Sequence, residues 1–112
     1  MANLQIEQDV LKLLQDCIAA CQFCAKACLE EKEVARLTRC IKLDLDCADV
    51  CTLTAAFVAR DSEMTAEAAR LCIEVCENCA AECEKHAQMH DHCRACAKAC
   101  RDCAQGCRKL AA

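Results

Sequence analysis

Cysteine recurs along this chain at alternating intervals of three and four residues, four times over. Cys17, Cys21, Cys24 and Cys28 run 4-3-4, and Cys72, Cys76, Cys79 and Cys83 repeat that pattern. Cys93, Cys96, Cys100, Cys103 and Cys107 run 3-4-3-4, while Cys40, Cys47 and Cys51 keep the same phase with Asp44 in the skipped place. Steps of three and four return to one face of an α-helix, so each set forms a single stripe. Stripes of thiol where leucine would ordinarily sit predict a helical core made largely of sulfur.

The rest of the chain supports helices and little else. It has no Pro, one Gly and two aromatic residues of the Phe, Tyr and Trp type in 112 residues. Ala, Leu, Glu and Lys abound, all good helix formers, and nothing punctuates strands or hairpins. The length predicts one domain, residues 1–112, able to bury a core without disulfides.

The hydrophobic stripe predicts four helices. The first runs from about residue 3 to residue 29, on Ile6, Val10, Leu13 or Leu14, and then the cysteines. Glu30, Glu31 and Lys32 break it. The second runs from about 33 to 60 on Leu37, Cys40, Asp44, Cys47, Cys51, Thr54 and Val58. Asp61 and Ser62 make the next break, with Ser62 or Thr65 as N-cap. The third carries Ala68 and its cysteines to about 88, and the fourth spans about 90 to 110. Short connections between them predict an all-α, antiparallel up-down-up-down four-helix bundle with a cysteine-lined core.

That topology sorts the core by height. The thiols reach the end that holds the first and third connections. The opposite end should collect Ile6, Val10, Leu13, Phe57, Val58, Met64, Ala68, Leu71 and Leu110 as an apolar plug. Ile18, Ile41, Leu43, Leu45, Val50 and Val75 flank the stripes, where they broaden the core or form a surface for self-association.

Net charge is −4, and no block of Lys or Arg occurs. Nucleic acid and anionic membrane are therefore poor partners. The first residues carry no basic n-region, apolar h-region or twin arginine, and no apolar run reaches membrane-span length. The expectation is a cytoplasmic protein, whose thiols stay reduced and favour metal or redox roles over structural disulfides.

Helix residues three or four apart have Cβ atoms about 5–6 Å apart, and zinc–thiolate bonds are about 2.3 Å, so consecutive cysteines can share one ion. Sixteen thiolates around four zinc ions would bury about two negative charges per site. Copper(I) is soft and univalent. One copper per bridging thiolate cancels the charge, giving a capacity of roughly 16 ions. Iron–sulfur motifs and inward-facing E-x-x-H pairs are absent from the sequence. Packing alone is the plain alternative, since cysteine behaves as a small hydrophobe. Sixteen such replacements would forfeit apolar burial at site after site.

Past Cys83 the third stripe continues through His86 and His90 to Cys93. His86 and His90 are the candidate ligands at the thiol-rich end, where imidazole suits a site that both takes and releases metal. Met89 and His92, in the same turn, rank behind them. Asp44 stands at a core-facing position. It can accept hydrogen bonds from thiols, offer an oxygen ligand, or swing to the flank; the structural role is favoured over the ligand role.

With those motifs assembled, the chain resembles the bacterial cytosolic copper storage proteins over nearly its whole length. The resemblance rests on the four cysteine runs, including C-I-E-V-C-E-N-C-A-A-E-C and H-D-H-C-R-A-C-A-K-A-C-R-D-C. It implies a four-helix bundle, assembly into homotetramers, and many Cu(I) ions held by cysteines, with His or Met near the open end. On that match all sixteen cysteines are candidate ligands, with His86 and His90 at the mouth. The exported members' twin-arginine signal has no counterpart here. The runners-up are a zinc or mixed-metal thiolate buffer and a thiol-redox or disulfide scaffold. No arrangement of nucleophile and base or cofactor motif predicts an enzyme.

Overall fold

Each helix starts and stops for local reasons that also set the bundle's height. In this computed structural model, which describes residues 3–112, α1 spans Leu4–Leu29. Asn3 caps it: Oδ1 accepts from the Gln5 amide at 2.9 Å and the Ile6 amide at 3.2 Å. Two amides that lack helical partners are thereby satisfied. Met1 and Ala2 lie outside the described residues.

The second helix begins later than the sequence predicts. A turn of 3-10 helix at Val34–Leu37 precedes α2, Thr38–Ala59. The tighter turn buries Leu37 beneath the first connection while the chain reverses. At its other end α2 closes with Asp61 at φ 52°, the Ser62 amide donating to the Phe57 carbonyl at 2.9 Å and the Asp61 amide to Val58 at 3.2 Å. That bond pattern is a Schellman motif, with Asp in the place glycine usually takes. Next, α3 spans Thr65–Glu84 with Met64 as its N-cap residue. Ser62 is not that cap; its hydroxyl accepts from the Met64 amide at 3.1 Å and so supports the turn.

Beyond Glu84, residues 85–89 form turns with three-residue bonds such as His86 to Cys83 and Met89 to His86, so α3 ends before residue 88. The last helix, α4, is Asp91–Cys107, three residues shorter at its end than the spacing suggests.

Each helix packs on two neighbours: α1 on α2, α2 on α3, α3 on α4, and α4 on α1. Short connections between adjacent helices make this an antiparallel four-helix bundle, 49 Å long and 18 Å across. The sole glycine, Gly106, lets α4 approach α1. A Cβ there would lie 2.6 Å from Leu13 Cδ1. Arg101 bridges to Glu84 at 2.8 Å, and Arg108 pairs with Glu77, both tying α3 to α4.

All sixteen cysteines are fully buried, and none forms a disulfide. The sealed far end contains Val10, Leu14, Val58, Ala68 and Ala69, with Thr54 donating to the Val50 carbonyl at 2.8 Å. Ile6 and Leu110 pack against it partly buried. Of the others expected there, Phe57 is half-buried with the Arg60 guanidinium carbon 5.2 Å from its ring centre, and Met64 and Leu71 do not join. Met64 is 46% and Leu71 47% exposed: Leu71 lies one residue off the Ala68 and Cys72 line and points outward, while Met64 is the N-cap residue and precedes the helix. Leu14, not the half-buried Leu13, carries the α1 stripe. Of the flanking residues, Ile18, Ile41, Leu43, Val50 and Val75 broaden the core, whereas Leu45 is exposed.

Candidate metal centre

Four helical stripes that face one axis stack their sulfurs along it. At the first-connection end, Cys24, Cys28 and Cys93 form a triangle with all three Sγ–Sγ separations at 3.9 Å. Cys40 and Cys83 face each other at 3.5 Å from α2 and α3. Deeper in, Cys21 lies 3.7 Å from Cys96 and 3.6 Å from Cys100. Cys17 follows at 3.7 Å from Cys100 and 3.8 Å from Cys47. Diagonal helices meet here through sulfur, Cys47 and Cys100 being 3.9 Å apart.

The column continues through Cys76, 3.6 Å from Cys47, to Cys51, 3.6 Å from Cys72 and 4.0 Å from Cys103. Cys107 lies innermost beside Cys72 and Cys103. Three sulfurs at trigonal angles around an ion with bonds of about 2.3 Å sit about 4.0 Å apart. These separations match that geometry with little motion. Several fourfold groups already converge, among them Cys21, Cys79, Cys96 and Cys100, and Cys51, Cys72, Cys76 and Cys103.

Asp44 belongs to this column and not to its flank. It is fully buried, and its Oδ1 accepts from Cys79 at 3.1 Å, Cys96 at 3.3 Å and Cys83 at 3.5 Å. Its Oδ2 lies 3.9 Å from Cys40 Sγ. Burial, reinforced by the neighbouring Cys96, Cys79 and Cys40, pushes the carboxyl up to about 11, so at neutral pH Asp44 is an uncharged acid. Burial also pushes the Cys28 thiol up to about 12, and Cys40 beside it adds to the shift. A thiol column with no cation nearby stays protonated, because several buried thiolates would repel one another in a medium that solvates none of them.

The mouth is covered by imidazole. His92 Nδ1 stands 3.5 Å from both Cys24 and Cys93 and 3.8 Å from Cys28, completing a four-ligand group. His92 Nε2 lies 2.9 Å and His90 Nδ1 3.0 Å from the same Glu31 Oε2. The two rings stack with centroids 5.2 Å apart. Hydrogen bonding from His92 holds the Glu31 carboxyl below its usual range.

His86 is placed differently. Its Nε2 is 2.9 Å from Glu82 Oε2, within a nearly buried carboxylate cluster that also takes Arg39 at 2.9 Å and Lys85 at 3.3 Å. Burial opposes the charge on Glu82, yet these three partners hold its carboxyl below the usual range. The column thus has sulfur along its length, one acid midway, and one end under histidine.

A family model described as "Csp: Copper storage protein" matches residues 3–112. The chain belongs to the copper storage protein family. Among solved structures, the cytosolic copper storage protein of Streptomyces lividans loaded with five coppers is 45% identical at a TM-score of 0.92, covering 96% of this chain and 92% of that one. Cu(I)-bound BsCsp3 is 44% identical at a TM-score of 0.90, over 96% of this chain and 99% of that one. The cysteine-rich protein YhjQ of Bacillus subtilis is 44% identical over 91 residues, 81% of this chain and 82% of that protein. The four-helix architecture and the family resemblance drawn from the cysteine runs agree with these matches.

Family membership leaves the mouth to be read from this chain's own geometry. His92 ranks low in sequence because it precedes Cys93 by one residue and so falls off the stripe. Side chains on a helix lean towards its N-terminus. A residue in the first turn of α4 can therefore fold back over the open end, and that lean was the available signal. Glu31 gave no such signal; in sequence it is one charge of a helix break.

Proposed function

We propose that this chain stores Cu(I), many ions per molecule, on the sixteen cysteine thiolates of its axis, and so keeps reactive copper out of the cytoplasm. The observation that carries the reading is the stack of buried sulfurs along the axis: the mouth triangle at 3.9 Å, the Cys40–Cys83 pair at 3.5 Å, Asp44 Oδ1 between Cys83 and Cys96, and an inner run from Cys96 to Cys103 whose neighbours stand 3.6 to 4.0 Å apart. Within the inner run each site shares a sulfur neighbour with the next. Charge selects the metal. One Cu(I) per thiolate leaves a neutral interior, whereas zinc in the same column strands negative charge where nothing solvates it. His92 and His90 serve the mouth, and residues 1–112 act as one copper-binding unit.

Titration of the reduced protein with Cu(I) against a competing chelator is expected to saturate near 16 ions per chain, with little change in helical circular dichroism. Saturation at a few equivalents would sink the proposal. Elemental analysis of protein grown with both metals supplied separates it from a zinc buffer.

The reading includes self-association into a tetramer. Leu45 and Leu53, eight residues apart on one face of α2, are 49% and 45% exposed and offer apolar surface for it. Light scattering is expected to return about four times the 12.3 kDa chain mass; a monomer at micromolar concentration would remove this part. None of the described helices is long and apolar enough to cross a membrane.

A further inference from the structure

Glu31 is not on any cysteine stripe, yet it touches both histidines of the mouth. Its backbone amide donates to the Cys28 carbonyl at 3.2 Å, which fixes the residue one turn beyond the last thiol of α1. From there a single carboxylate oxygen faces His92 Nε2 at 2.9 Å and His90 Nδ1 at 3.0 Å. The side chain is 32% exposed, and the two histidine side chains are each 11% exposed.

A neutral imidazole carries one N–H. Donation from Nε2 of His92 to Glu31 leaves Nδ1 with its lone pair, and Nδ1 is the atom that faces Cys24, Cys28 and Cys93. A carboxylate behind a ligating histidine fixes ring orientation and raises the basicity of the far nitrogen. His90 shares the oxygen and stacks on His92, so it limits ring rotation from the other side.

We infer that Glu31 is the positioning residue of the mouth, holding His92 so that its Nδ1 completes a first copper site with Cys24, Cys28 and Cys93. The inference rests on the copper-storage reading. Glu31 itself does not bind the ion, because the His92 ring stands between its carboxylate and the three sulfurs. Without Glu31 the ring turns freely and the first ion meets three thiols without a fixed fourth ligand.

A double-mutant cycle tests this, read as affinity for the first Cu(I) equivalent against a competing chelator. Glu31→Leu is expected to weaken that affinity by about 10- to 100-fold while total capacity stays at the wild-type value. In a His92→Ala background the same substitution should change it by less than about twofold, because the residue through which Glu31 acts is gone. Glu31→Gln, which keeps an acceptor without the charge, should fall between, and it carries the cycle if the leucine variant fails to fold. Equal losses in both backgrounds, or no loss in either, would overturn the inference. Failure of the unmutated chain to take up copper would instead remove the storage reading.

Discussion

Replacing Asp44 with Asn is expected to stabilise the reduced, metal-free bundle at neutral pH and to flatten its dependence on pH. Asp44 has an ordinary value of 3.8 and is pushed up to about 11 in the fold. Between those values the folded chain holds a proton that the unfolded chain has released. Stability from this group is therefore complete below the lower value and drains away as pH rises, by about 1.4 kcal/mol per pH unit. From about pH 5.5 to about pH 7.5 the loss is about 2.7 kcal/mol. That window lies above the carboxyls of Glu31, Glu82 and Glu84, which are held low and act in the opposite sense only in acid. Asn has nearly the same shape and does not ionise. Urea unfolding at the two pH values should show the wild-type curve dropping by about that amount relative to Asp44→Asn. Parallel curves would mean that the buried carboxyl is charged in the fold.

Filling the column with Cu(I) should release about one proton per ion. Each thiol enters as S–H and ends as a copper-bound thiolate, so its proton leaves to solvent and the interior stays neutral. With one proton released per ion, apparent affinity should tighten about tenfold for each rise of one pH unit. Over a column of sixteen thiols this is the largest pH effect the bundle can show. An indicator dye in weakly buffered solution measures the protons directly during titration. A release near zero would mean that the thiolates exist before copper arrives, contrary to the burial that raises Cys28.

The parts of the fold legible in sequence are those set by period. Leu37, Cys40, Cys47, Cys51, Thr54 and Val58 form one buried line because their steps return to one face. Helix ends were less legible. The 3-10 turn at Val34–Leu37 and the turns over 85–89 depend on where the neighbouring helix lies, and local composition does not record that. The mouth was hardest for the same reason. Glu31 and His92 are 61 positions apart and meet only because α1 and α4 are neighbours in space. Asp44 was visible as an oddity, but whether it faced the axis depended on a rotation of α2 that packing decides.

Val10, Leu14 and Val58 have a consequence for traffic. They leave the sulfur column one door, so under the proposed function ions leave in the reverse of the order in which they arrived. Copper lodged beside Cys72 and Cys107 would be long-term stock, and copper under His92 would be the working balance. Bundle length then sets how much can be held, while the few residues at the mouth set how fast it moves. Evolution could lengthen the helices without touching the rate, or retune the mouth without touching the capacity.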